Sequence, residues 1–202
     1  MTRLIASVAP ILVIAIAGLS SAAASERVEH AAAGIAMDRP AGWQSASLEQ
    51  IQVNRERARL SDPELQRGLV TRSAMPVIAF MKYQEPHAGL NPTVQVTLRP
   101  AVAGQPTQVL AGALEVMRRG FADFRIVSPV APAAVDGLSG AQVAVTYTLQ
   151  NQSGERFPVS SRLWLVPRGS LMFLIGMSGA QSGPDTCDEE FAAAFRSISI
   201  GR

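Results

Sequence analysis

Cysteine is almost absent: Cys187 is the only one in 202 residues, so no internal disulfide can form even in a compartment that permits one. Asp188, Glu189 and Glu190 follow it, and without a nearby cation nothing lowers its pKa, so it reads as a passive thiol in the first turn of a helix. Histidine is nearly as scarce. His30 and His87 have no histidine, cysteine or carboxylate partner at a metal-ligand spacing, and no metal site or cofactor is expected. Lysine occurs once, at Lys82, and the other seventeen cationic side chains are arginine. With a formal net charge of +2 the chain offers no electrostatic case for nucleic acid. There is no glycine-rich phosphate loop and no internal repeat. Gly176-Met177-Ser178-Gly179 falls short of a nucleophile elbow, because Ala180 stands where the second glycine belongs and no histidine follows. The expected class is non-enzymatic.

Only one long apolar run occurs. Arg3 precedes Leu4–Leu19, and Ser20 to Ser25 are small residues. A short positive start, an apolar stretch and a small-residue site make a secretory signal peptide, residues 1–24, cut between Ala24 and Ser25. An uncleaved anchor is the alternative; shortness and the interruptions at Pro10 and Gly18 oppose it. The mature chain is expected to be periplasmic or secreted, without a stable membrane span. Residues 25–32 read as a flexible lead-in and 33–202 as one domain with a good core.

What is abundant is β-forming sequence. Gln142–Leu149, Phe157–Val166 and Leu171–Met177 are β-branched and aromatic runs separated by Asn151–Gly154 and Pro167–Ser170, which predicts an antiparallel meander. With four-residue gaps, Val143, Val145, Tyr147 and Leu149 share a face with Trp164, Val166, Leu171, Phe173 and Ile175. The opposite face carries Val159, Leu163, Leu165, Met172 and Leu174, so both faces are expected to be covered. Further strands are predicted at Gly34–Asp38, Val77–Tyr83, Thr93–Arg99, Arg125–Val130 and Ser197–Ile200, with Pro129 to Gly140 as a connection. Ser47 and Gln50 have capping-box spacing, Asp62-Pro63 starts a second helix, and Pro106 opens a third with an apolar stripe of Val109, Leu110, Ala113, Leu114, Met117 and Phe121. A closing helix is expected over Asp185–Phe195. The arginines at 55, 57, 59, 67 and 72 either form an anion-binding patch or, interleaved with Glu49, Glu56, Asp62 and Glu64, a salt-bridged face, and the interleaving favours the second. Methionines sit on core-like positions and fill gaps. Leu165-Val166-Pro167-Arg168-Gly169-Ser170 is identical to the thrombin site of many engineered fusion proteins, and an exposed tip there would be nicked.

Gly34-Ile35-Ala36-Met37-Asp38-Arg39-Pro40-Ala41-Gly42-Trp43 resembles the strand and "P-x-GW" opening of the Mog1/PsbP-like superfamily, and Phe191…Phe195-Arg196-Ser197-Ile198-Ser199-Ile200 resembles its closing helix and "SI" strand. The resemblance spans residues 33–200. It implies an α+β fold, an antiparallel β-sheet flanked by helices on both faces. Members include exported DcrB-like bacterial proteins, DUF1795-type secretion chaperones, a Ran-binding nuclear protein and a photosystem extrinsic subunit, which bind other proteins and share no catalytic site. The implied role is that of an accessory or protein-binding module for another envelope protein. A small-molecule or lipid carrier, with a pocket between sheet and helix, is the alternative. Candidate contact residues are Arg55, Arg59 and His87, in the 47–72 helical region and the loop from Glu85 to Pro92. The sequence leaves the oligomeric state open.

Overall fold

A computed structural model describes residues 25–71 and 73–201; the expected signal peptide and its cut lie outside the described residues. The described residues form eleven strands and four α-helices. The strands are β1 (Glu26–His30), β2 (Ile35–Arg39), β3 (Gln44–Ser45), β4 (Ala58–Arg59), β5 (Pro76–Met81), β6 (Thr93–Pro100), β7 (Ala122–Val135), β8 (Leu138–Asn151), β9 (Arg156–Arg168), β10 (Leu171–Ala180) and β11 (Ser199–Ile200). The helices are α1 (Leu48–Arg57), α2 (Pro63–Thr71), α3 (Pro106–Gly120) and α4 (Asp188–Arg196). An eight-stranded sheet runs β3-β5-β6-β10-β9-β8, with β4 and β7 both pairing β8, and a small sheet runs β1-β2-β11. All pairings in both sheets are antiparallel.

Both faces of the large sheet are buried. On one, Ile78, Phe80, Val94, Val96, Trp164, Val166, Phe173 and Ile175 pack against the small sheet and α4, with Trp43, Phe191 and Ile200 in the same cluster. Phe195 stacks on Trp164 at 4.4 Å between ring centroids. On the other face, Leu110 and Leu114 of α3 lie on Val143, Val145, Tyr147, Val159 and Leu165, with Val109, Met117 and Phe121 at the margin. That is the stripe expected of this helix except for Ala113, which is exposed. The arrangement is α+β, an antiparallel sheet between helical layers.

Four expectations are corrected. The lead-in is a strand: Glu26 to His30 pair with Arg39 to Ile35, because Val28 packs against the core cluster from one face while Arg39 and Glu26 form an ion pair. Pro129–Gly140 is not a connection. Its first part continues β7, an edge strand in which Pro129 lies at the register shift between Ser128 and Ala131 while Pro132 pairs in register with Ala141, and Asp136-Gly137 closes a two-residue hairpin with both residues at positive φ (48° and 76°). The closing helix starts at Asp188, after a short 3₁₀ turn over Pro184–Thr186. The fourth correction concerns register. Gln150 pairs with Arg156, so the β8–β9 gap holds five residues, and Val143, Val145 and Tyr147 oppose Leu163, Ser161 and Val159. One extra residue transfers the whole of β8 to the α3 face, away from Trp164 and Phe173. The assignment of β9 and β10 stands: Trp164 pairs Ile175 and Val166 pairs Phe173.

Candidate functional site

At one end of the α3 face the sheet is not covered by α3. There the loop between β5 and β6 folds over the strands, and the C-terminal end of α1 closes the side. Between them lies an open cleft of about 280 Å³. Leu90, Leu149, Phe157 and Val159 supply apolar wall, Tyr147, Ser178 and Thr93 form the floor, and Asn54, Arg57, Glu85, His87 and Asn91 stand around the mouth.

Local sequence builds the walls. α1 is nucleated by a complete capping box, in which the Gln50 amide N–H donates to Ser47 Oγ (3.1 Å) and the Ser47 N–H donates to Gln50 Oε1 (2.8 Å). Its last turn delivers Asn54 and Arg57 to the cleft. α2 starts as expected, with Asp62 Oδ1 accepting from the Glu64 and Leu65 amides. The 82–92 loop is closed by one side chain. Asn91 accepts from the Tyr83 N–H (3.0 Å) and donates to the Tyr83 carbonyl and to Glu85 Oε1 (both 2.9 Å). Such self-packed loops keep a fixed shape without regular secondary structure.

Glu85 is the electrostatic centre of the mouth. Its side chain is 11% exposed and lies 3.5 Å from the Arg57 guanidinium, which is itself half exposed. The His87 amide donates to it at 2.9 Å and Asn54 reaches it at 3.5 Å. Burial pushes the Glu85 carboxyl upward, but bonds from Asn91, His87 and Asn54 and the charge of Arg57 outweigh it and hold the group below its ordinary value. The carboxylate is therefore a structural anion, fixed by donors, and not a poised base.

The loop is tied to the far side of the fold by a polar cluster. Tyr83 stacks on His87 at 4.4 Å, and its hydroxyl donates to Asp185 Oδ1 at 2.6 Å. Lys82 Nζ donates to Asp185 (3.1 Å), to the Pro184 carbonyl (3.1 Å) and to Cys187 Sγ (3.5 Å). Burial works against the Lys82 charge, yet Asp185, Cys187 and Tyr83 raise its pKa overall. The bond from Tyr83, helped by Lys82, holds the Asp185 carboxyl low. Cys187 is 2% exposed and does have a cation beside it, contrary to the sequence reading; burial still outweighs Lys82 and pushes the thiol up. It remains a passive thiol. Gly179 makes room for this cluster, since a Cβ there would stand 2.5 Å from the Asp185 carbonyl oxygen.

Of the candidate contact residues, His87 lines the cleft. Arg59 is exposed on β4 opposite Gln150, outside the lining. Arg55 points inward: its guanidinium donates to the Ser73 and Ala74 carbonyls at 3.1 and 2.7 Å and pins α1 to the segment before β5. Sequence reasoning missed Asn54, Arg57, Glu85, Asn91, Tyr147 and Ser178 as one constellation. Ser178 does not bond to His87. Its partner is Ser161, at 2.6 Å. Among the described residues no three His, Cys, Asp or Glu side chains are placed to hold a metal, and no helix is long and apolar enough to cross a membrane.

No family model matches the chain, and no curated protein matches it. Solved structures do. Cyanobacterial PsbP from Synechocystis sp. PCC 6803 matches with a TM-score of 0.51 at 12% identity, over 91% of this chain and 96% of that one. LpqN of Mycobacterium tuberculosis, described as involved in cell envelope biogenesis, matches with a TM-score of 0.55 at 14% identity, over 89% and 91%. A point mutant of Mog1 matches with a TM-score of 0.50 at 12% identity, over 88% and 96%. The narrower DcrB-like or DUF1795-type placement is not among these likenesses. What they share with this chain is its architecture: it has the Mog1/PsbP-like fold.

Proposed function

We propose that the protein is an exported, non-enzymatic binding module of the cell envelope and that the cleft under the 82–92 loop is where it binds. The observation that carries this is a preformed cleft of about 280 Å³ with apolar walls, beneath a loop held shut by Asn91 and anchored through Tyr83 and Lys82. Apolar concavities with a few convergent polar groups are the usual form of a ligand site, and this one lies just below the lower end of their size range. The titratable groups at its mouth are Arg57, Glu85 and His87, and none is hydrogen-bonded to a nucleophile. Glu85 is saturated by donors and Ser178 is paired with Ser161, so the arrangement binds and does not activate. Export rests on the signal peptide in residues 1–24, followed directly by folded structure from Glu26.

The small-molecule form of this function is favoured by the cleft itself. The protein-partner form, in which another envelope protein docks on the loop and α1, rests on the exposed Arg57 and Arg59 beside the mouth. The test is purification of the mature chain from its native envelope without denaturation, followed by mass spectrometry of both solvent extract and co-eluting proteins. Leu149→Trp, which fills the cleft, serves as control. A stoichiometric small molecule lost from Leu149→Trp supports the cleft reading. A stoichiometric protein with no small molecule, unaffected by that substitution, moves the binding surface off the cleft.

A further inference from the structure

The floor of the cleft has a direction. Tyr147, Ser161 and Ser178 form a hydroxyl chain, with Tyr147 Oη to Ser161 Oγ at 3.1 Å and Ser161 Oγ to Ser178 Oγ at 2.6 Å. Three hydroxyls bring three donor protons, and two shared bonds consume two of them. Ser161 is 1% exposed and sits in the middle, so the unspent proton belongs to one end. Burial pushes the Tyr147 phenol above its ordinary pKa against the opposing hydrogen bonds of Ser161 and Ser178, so it keeps its proton, and a phenol is a stronger donor than an alkyl hydroxyl. The chain therefore runs from Tyr147 to Ser161 to Ser178, and Ser178 holds the last proton, which turns either back to the Tyr147 oxygen or out to an acceptor in the cleft. Ser178 is only half-buried and lines the cleft, with Thr93 beside it as its rung partner on β6. Each bond in such a chain polarises the next and strengthens the terminal donor.

The mouth sets the charge of what enters. Glu85 is ionised, and Arg57, the cation paired with it, cancels its field, so neither sign of ligand gains a free counter-ion. A desolvated charge without one is costly. The walls between mouth and floor are Leu90, Leu149, Phe157 and Val159.

Building on the binding role of the cleft, we propose that its ligand is a small neutral amphipath that enters with an acceptor oxygen first, received by the Ser178 hydroxyl. A ketone, ester, amide or quinone oxygen on a ring or short chain meets these conditions; a carboxylate or an ammonium does not.

The test uses four matched probes: acetophenone, ethylbenzene, benzoate and benzylammonium. Each is titrated into the isotope-labelled mature protein while the amide signals of Leu90, Leu149, Phe157 and Ser178 are followed. The expected result is saturable shifts with acetophenone, and binding of ethylbenzene about five- to tenfold weaker, the effect of one net hydrogen bond. Ser178→Ala should erase that preference by weakening acetophenone and leaving ethylbenzene unchanged, while Ser178→Thr should retain it. Retained ethylbenzene binding also shows that Ser178→Ala is folded. Equal binding of acetophenone and ethylbenzene by the wild type, or a preference that survives Ser178→Ala, overturns the acceptor assignment. Tighter binding of benzoate or benzylammonium overturns the neutral class. If no probe moves these amides, the cleft is not a binding site and the underlying function falls with it.

Discussion

Removing the Asn91 side chain should unlock the loop that forms the cleft. Asn91 makes three hydrogen bonds of 2.9–3.0 Å, two to the backbone of Tyr83 and one to the Glu85 carboxylate. A neutral bond contributes about 1 kcal/mol net and one to a charged acceptor about 1.5–3 kcal/mol. The sum for Asn91→Ala is about 3.5–5 kcal/mol if the groups stay dry. The site is half-buried, so water replaces part of each bond, and about 2 kcal/mol of local stability is the expected loss. Because the loop is tied separately through Tyr83 and Lys82 to Asp185, that loss falls on local opening and not on the sheet. The assay is native-state hydrogen exchange. The Tyr83 and His87 amides should exchange about thirtyfold faster in Asn91→Ala, as 2 kcal/mol implies, while the core amides of β9 and β10 should change little. Asn91→Asp should be worse than Asn91→Ala at neutral pH, since it sets a carboxylate against Glu85 and the Tyr83 carbonyl. Exchange at Tyr83 within threefold of wild type in Asn91→Ala would refute this account of the loop.

Other consequences follow from single groups. Because Glu85 is held below its ordinary value of 4.5, its contribution to stability should be complete above about pH 4.5 and fade as pH falls through its folded-state value. The difference in urea midpoint between wild type and Glu85→Gln should therefore shrink from pH 7 to pH 3, and a difference independent of pH would contradict the assignment. Native protein should resist thrombin at Arg168–Gly169 while urea-unfolded protein is cut, because the Arg168 guanidinium bonds the Gly201 and Ala33 carbonyls, lies over Phe173 and cannot enter a protease pocket. A clean nick of the native chain would show a mobile tip. Arg168→Ala should cost about 2–4 kcal/mol in urea unfolding, with Arg168→Lys intermediate because an ammonium cannot serve both carbonyls in one fork. A loss below about 0.5 kcal/mol would show that this tie between hairpin and small sheet is incidental.

The sequence made the architecture legible wherever one residue's neighbours in space are also its neighbours in periodicity. The α3 stripe, the Ser47–Gln50 box and the two-sided β9 and β10 pattern all depend on spacings of two to four residues. Register across a loop does not. The single residue that distinguishes a five-residue from a four-residue β8–β9 connection leaves no mark on the apolar pattern, yet it decides which face Val143 and Tyr147 occupy. The Asp136-Gly137 hairpin was a readable signal, obscured by the prolines and alanines that precede it. The cleft was the least legible part. His87 lay in a loop worth watching, but the floor draws Tyr147 from β8 and Ser178 from β10, and the anchor joins Lys82 to Asp185 across 103 positions. Ser178 was readable only as a defective catalytic motif; the neighbours that give it a different role are Ser161 and Tyr147, which no linear spacing connects to it.

The most direct test of the binding cleft is a crystal structure of the mature protein isolated from its native envelope without denaturation. The account predicts density for an occupant between Leu90, Leu149 and Phe157, with an oxygen within hydrogen-bond distance of Ser178 Oγ and the 82–92 loop closed as it is here. A cleft holding only water while a co-purified ligand sits elsewhere, or a loop collapsed so that Leu90 fills the space over Phe157, would contradict it.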